Sequence, residues 1–271
     1  MLSTSWILPL SLIVLIFAFN WCMPSQPIEP QPPAAGIPIT KNEQVEGQPP
    51  RTPYNEDEIV QLIKDIYDTY LRLNHIKRWE LIWPPNETGH VINETLCQEL
   101  GLDLAVISLM KRIPYFYDSD TSKNVEFFEY SRAMVYLEDE EVLGDRDPGM
   151  FEVQEPRLDH LLRHDIALIC TEDEGKNIIL DVRENTIRVE DSMDVAPGRD
   201  VPPDYEYKPE RLDVKNHYRN YYPHHAPTWL ASLLEKVRKL EIVPVNYGGH
   251  RWLCAGDDRE VCYVPVYPLY C

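Results

Sequence analysis

Apolar positions along this chain fall into a few separate patterns. The densest lies in Leu158–Asp191, LDHLLRHDIALICTEDEGKNIILDVRENTIRVED, where the runs Ile166–Cys170, Ile178–Val182 and Ile187–Val189 alternate with the polar stretches Glu172–Lys176 and Arg183–Asn185. Apolar runs of about four to eight residues bounded by turn-forming residues predict strands, and this spacing predicts a three-stranded antiparallel meander. A second pattern is helical. Ile59, Ile63, Ile66, Tyr70 and Leu73 recur at steps of four, three, four and three, one face of an amphipathic helix reaching about His75. Asn55 stands at its N-cap, Glu56 and Asp57 suit the positive helix end, and Glu58 takes the capping-box position. After Pro227, the residues Trp229, Leu230, Leu233, Leu234, Val237 and Leu240 predict another such helix over 227–240.

Between these patterns, Asn93 is placed to cap LCQELGL, and Gly101 to end it. Asp103 is placed to cap DLAVISLMKR, which must stop before Pro114. Leu104, Ile107, Leu109 and Met110 read as core, as do Trp79, Ile82 and Trp83 before the break at Pro84-Pro85. Ala133–Leu137 and Ile242–Val245 read as shorter strands. The end of the chain, VCYVPVYPLYC, suits an edge strand, because Pro265 and Pro268 cannot donate to a ladder.

A third pattern is continuous. Beyond a tail at residues 1–5, residues 6–23 carry WILPLSLIVLIFAFNW, which predicts a signal anchor or a signal peptide. No small-residue cleavage site follows it, which favours the uncleaved anchor; lysine and arginine are missing from its flanks, so orientation is not indicated. Residues 24–53 are rich in proline and poor in large apolar side chains. Such a stretch cannot bury enough surface to offset its ordering entropy and reads as a disordered, extended stalk. The expectation is therefore an α+β fold, a single domain over 54–271 on an N-terminal membrane segment. Its antiparallel sheet would be covered by amphipathic helices at 55–75, 93–112 and 227–240.

Charge changes the functional picture. The net charge is −19, which argues against nucleic acid, whose binding rests on cationic contacts to phosphate, and against docking on anionic lipid. The acidic run Glu138–Glu141 with Asp145 and Asp147 lacks the order of a calcium loop and reads as a solvated loop. Of six cysteines, Cys254, Cys262 and Cys271 cluster near the end and are disulfide candidates, with small buried thiols as the equal alternative. Asn86-Glu87-Thr88 and Asn93-Glu94-Thr95 are glycosylation sequons that count only if the domain is lumenal, and Asn86 is the better acceptor because Asn93 is wanted as a cap.

Candidate chemistry is sparse. His217, His224 and His225 invite a metal reading, but the HExxH spacing is not there, and a partly exposed aromatic loop fits them better. No nucleophile elbow, Walker A or dinucleotide fingerprint occurs in the sequence. The expectation is no catalytic residue, no cofactor and no resident metal. Two functions remain: a non-catalytic protein-interaction module, membrane-tethered or secreted, with a protein partner not specified by the sequence; or an extracellular hydrolase with a carboxylate/His site built from the acidic and His-rich loops.

At DIALICTEDEGKNIILDVRENTIRVED the chain resembles the SUKH superfamily, the group that includes the fungal cell-wall assembly regulator, and fungal proteins sharing its meander. The Thr228–Leu234 segment, TWLASLL, is similar to a family helix. The chain departs from the family in having one glycine, Gly175, in the turn before the ILLD-like strand, and in its membrane segment. The resemblance implies an α+β domain used for protein–protein interaction, without enzymatic activity.

Overall fold

The computed structural model describes residues 52–148, 157–171, 175–191, 193–198, 201–214, 216–243 and 253–254. The described residues all lie within one unit, Pro49–Cys271. The membrane segment, the stalk as far as Arg51, Cys262, Cys271 and the expected C-terminal edge strand lie outside the described residues; of Cys254 only the backbone is described. Among the described residues no helix is long and apolar enough to cross a membrane.

The fold is α+β with antiparallel sheets. In chain order the elements are α1 (Glu56–Arg72), β1 (Leu81–Ile82), α2 (Glu94–Glu99), α3 (Leu104–Arg112), β2 (Tyr115–Phe116), α4 (Ser119–Lys123), β3 (Ser131–Ala133), α5 (Asp139–Gly144), β4 (Asp165–Thr171), β5 (Lys176–Asp181), β6 (Thr186–Asp191), β7 (His224–His225), α6 (Ala226–Arg238), β8 (Ile242–Val243) and β9 (Leu253–Cys254). Short 3-10 turns occupy Arg78–Glu80 and Tyr218–Asn220. The main sheet has five strands in the order β3-β4-β5-β6-β7, every neighbouring pair antiparallel. The expected meander is its centre, β4-β5-β6, and β3 and β7 extend it at either edge.

The two faces of this sheet differ, and the register says how. Ile166 pairs with Leu180, Leu180 with Ile187 and Ile178 with Val189, so these side chains share one face. That face meets α1 and α6, with Ile63, Ile66 and Tyr67 approaching Ile169 and Ile178 alongside Leu230 and Leu233. Burying this stripe gives both helices their stability, since isolated helices of such length are marginal in water. The opposite face carries Asp165 and Ala167 of β4, Asn177, Ile179 and Asp181 of β5, and Thr186, Arg188 and Glu190 of β6. In many antiparallel sheets such a polar face meets water. Here Asp165, Asn177, Asp181, Thr186 and Arg188 are buried, because the segment leading into Tyr218–Asn220 lies over them.

Several local expectations are revised. The strand expected at Ala133–Leu137 is three residues long and ends at Ala133. Met134 still donates to the Leu168 carbonyl, but Tyr136 then turns its hydroxyl inward to Asp145 and to the Ala167 carbonyl. Leu104 and Trp79 are 78 % exposed rather than core. Leu104 opens α3, and its apolar stripe runs instead through Val106, Ile107, Leu109 and Met110. Asn55 and Asp103 precede their helices without capping through their side chains. The Glu56 carboxylate that starts α1 is taken by Arg112 at 2.7 Å, and Asp103 pairs with Arg163 and Arg183. Gly101 ends α2 at φ +70°, a conformation that costs glycine little.

Asn93 does cap α2: its Oδ1 accepts from the Leu96 amide at 3.1 Å, and its Nδ2 donates to Asp139 at 2.9 Å. Asn86 is exposed. Asn93→Ala should therefore lower stability by about 1 kcal/mol, whereas Asn86→Ala should stay within about 0.5 kcal/mol of the parent, as read by urea denaturation.

Candidate functional site

The acidic run after β3 is not a solvated loop. It folds as α5, with Glu141 and Asp145 turned inward. Arg132 of β3 donates both guanidinium nitrogens to Glu141, each at 2.8 Å. Asp145 pairs with Arg146, accepts from the Tyr136 hydroxyl, and takes the Ala167 amide at 2.7 Å. Arg146 in turn donates to the Asp165 carbonyl at 3.0 Å. These carboxylates read as surface because their cationic partners stand elsewhere in the sequence or point away until the chain folds.

The polar face of the main sheet builds the second and larger cluster. Strand register sets Asp165 directly opposite Asp181. Like charges so placed repel. Arg219, from the Tyr218–Asn220 turn, answers them: its Nη1 donates to Asp181 Oδ2 at 2.8 Å and lies 3.6 Å from Asp165 Oδ2. Arg219 Nε also donates to Glu210 at 2.8 Å, and Arg188 of β6 donates to the same carboxylate at 2.6 Å. Asp181 Oδ1 accepts the amides of Arg183 at 2.8 Å and Glu184 at 2.9 Å, which fixes the β5–β6 turn. Tyr218 donates its hydroxyl to Asp165 Oδ2 at 2.6 Å. His164 completes the group, with Nε2 3.7 Å from Asp181 Oδ2 and 3.9 Å from Asp165 Oδ1.

Two adjacent carboxylates in one environment take different protonation preferences. Burial, reinforced by the charge of Asp181, pushes Asp165 up to about 7. Burial acts on Asp181 too, but Arg219, the Glu184 amide and His164 outweigh it and hold Asp181 below its ordinary value. Burial lowers His164 despite Asp181. Glu210 is held down, against burial, by Arg188 and Arg219.

The three histidines named from sequence are not brought to one place. His217 is fully buried: its Nδ1 accepts from the Arg219 amide at 3.1 Å, Nε2 faces Arg211 at 3.3 Å, and its ring packs on His160 and Tyr218. His224 and His225 form β7 at the sheet edge, His224 against the Tyr222 ring and His225 bonded to Thr228 at 2.8 Å. The group of described residues able to hold a metal ion is instead His164, Asp165 and Asp181, with ligand atoms within 4.8 Å of one another. A sign of it stands in the sequence: HD opens one strand of the meander and D closes the next, which in an antiparallel pair puts both ends together. What could not be read was Arg219, which arrives from a turn 38 residues beyond Asp181.

His217 gives a measurable pH effect. Burial, then the charges of His160 and Arg211, lower it from 6.5 to about 4, with Arg219 acting the same way and Asp213 opposing. A histidine depressed in the folded state contributes stability that is complete above its unfolded value and is lost as pH falls toward the folded one. Between pH 7.5 and 4.5 the parent should lose about 1–2 kcal/mol more than His217→Asn, as measured by urea titration at each pH.

No protein-family model, curated protein or solved structure matches the chain.

Proposed function

We propose that residues 54–271 form a non-catalytic, SUKH-like protein-interaction module, carried by the stalk at 24–53 from the membrane segment at 6–23 on the lumenal or extracellular side, and secreted if that segment is removed. The observation that carries this reading is the contrast between two surfaces. The titratable cluster on the sheet is covered and spent on holding elements together. An open groove of about 440 Å³ lies elsewhere, between α3 and the Pro84–Gly89 loop. Leu104, Ile107, Pro84 and Pro85 supply its apolar lining, and Lys64, Lys111 and Arg112, against Glu87 and Glu94, its charge. Lys111 pairs with Glu94, and Arg112 with Glu56 and Asp57, whereas among the described residues Lys64 pairs with no carboxylate. In a chain of net charge −19, this groove fits a partner segment presenting an apolar side chain beside a carboxylate.

The hydrolase alternative draws support from one observation, Asp165 raised to about 7 beside His164, and no longer from the three histidines. Tyr218 and Arg219 close over that pair, which favours the module.

A photoreactive residue at position 104 of the full chain tests the reading, with position 212 as control, since Leu212 is 86 % exposed and lies outside the groove. Position 104 should yield a discrete protein adduct that Lys64→Glu abolishes, and position 212 should yield none. Adducts equal at both positions, or indifferent to Lys64→Glu, would count against the groove. Placement of the domain is read separately from a glycosidase-sensitive mass shift in membrane and medium fractions. Asn86 lines the groove, so Asn86→Gln is run in parallel.

A further inference from the structure

The charged cluster on the polar face is one group short. Asp165 is fully buried, and although its Oδ2 receives the Tyr218 hydroxyl, its Oδ1 has no hydrogen-bond partner. Buried carboxylate oxygens without a partner are costly and call for an explanation. The orphaned oxygen faces His164 Nε2 at 3.9 Å, too far for a hydrogen bond. His164 Nδ1 is buried without a partner as well.

Charge points the same way. Asp165, Asp181, Glu184 and Glu210 surround Arg188 and Arg219, while Arg183 turns outward to Asp103. Counted together these groups leave two negative charges in excess, with the Glu184 and Glu210 carboxylates 45 % and 44 % exposed at the edge of the cluster.

We propose that His164 Nε2, Asp165 Oδ1 and Asp181 Oδ2 bind one divalent transition-metal ion, with zinc as the reference metal. Asp181 Oδ2 can take it while still accepting from Arg219, because a carboxylate oxygen has two lone pairs. At metal–ligand distances of about 2.0–2.2 Å, tetrahedral ligand atoms stand roughly 3.3–3.6 Å apart. The 3.7 and 3.9 Å separations from His164 therefore need to close by a few tenths of an ångström, and the two carboxylates, whose ligand atoms lie within 4.8 Å, by up to about 1 Å. One imidazole with two carboxylates suits zinc or manganese better than magnesium, which favours all-oxygen ligands and keeps its waters. The ion would tie the start of β4 to the end of β5, at the point where the two carboxylates repel. The site is independent of the groove, so failure of one leaves the other standing.

The test uses the untagged full chain, stripped with chelator and titrated with Zn²⁺, Mn²⁺ and Mg²⁺ by calorimetry, with the zinc ligand shell read by X-ray absorption. The expected result is one zinc per chain in a shell of nitrogen and oxygen only. His164→Ala should weaken binding at least about tenfold. His164 is the least buried of the three ligands, with its side chain 13 % exposed, so it is the one whose removal disturbs the fold least. Asp165→Asn should weaken binding as well, and His225→Ala should leave it unchanged. Zinc held with sulfur in its shell, binding indifferent to His164→Ala, or no uptake of Zn²⁺ or Mn²⁺ by the folded chain would each overturn the proposal.

Discussion

Arg219→Met lowers the stability of the domain by about 3–5 kcal/mol, the cost of leaving buried carboxylates without their cation. Among the described residues Arg219 is the one guanidinium within 4 Å of both the Asp165 and Asp181 carboxylates, and it also anchors Glu210. Without it Asp181 keeps Arg188 at 3.9 Å, beyond hydrogen-bond reach. Arg219→Lys should restore only part of the loss, because a single ammonium cannot span Asp181 and Glu210 as a planar fork does. Urea unfolding of the full chain measures both, read from the shift in midpoint at unchanged slope. A loss below about 1 kcal/mol would mean that the cluster is solvated and behaves as a surface ion pair.

Arg132→Met is expected to cost a similar amount, about 3–5 kcal/mol, through the other buried pair. Arg132 is 2 % exposed and meets Glu141 with two hydrogen bonds, so its removal strands a carboxylate in the interior. The double variant Arg132→Met/Glu141→Leu separates this penalty from the worth of the pair. It should recover more than half of the loss, because replacing both partners with apolar groups removes the stranded charge. Recovery stays incomplete, since Glu141 also accepts from the Val135 amide at 3.3 Å. A double variant no more stable than Arg132→Met would show that the pair is held for its geometry rather than its charge.

The apolar half of this architecture was legible in the sequence, and the charged half was not. Ile166–Cys170, Ile178–Val182 and Ile187–Val189 are short apolar runs bounded by turn residues, and Ile59, Ile63 and Ile66 recur at helical spacing. Each pattern follows from which side of one element must leave water, and α1, α6 and β4-β5-β6 appear where it placed them. Asp145, Glu141, Asp181 and Arg219 were not legible, because whether a charge is buried depends on partners that only the folded chain supplies. An acidic run in an acidic chain carries no mark of the arginine waiting for it. Leu104 and Trp79 failed in the opposite sense: both are apolar and both face solvent, which composition cannot distinguish from core. Leu104 then became informative by its exposure, as part of the groove.

The central claim is that the cluster beneath Tyr218–Asn220 is closed scaffold, and that function lies on the groove beside α3. Native-state hydrogen exchange of the full chain tests it most directly. The Tyr222 amide donates to the Pro197 carbonyl, the Arg219 amide to His217 and the Tyr221 amide to Tyr218. If the cover is part of the scaffold, the amides of Arg219, Tyr221 and Tyr222 open only with β4, β5 and β6, at the global unfolding free energy, while the Pro84–Gly89 loop exchanges much faster. If those amides instead exchange as fast as that loop while the three strands stay protected, the cover opens by itself and the scaffold account is contradicted.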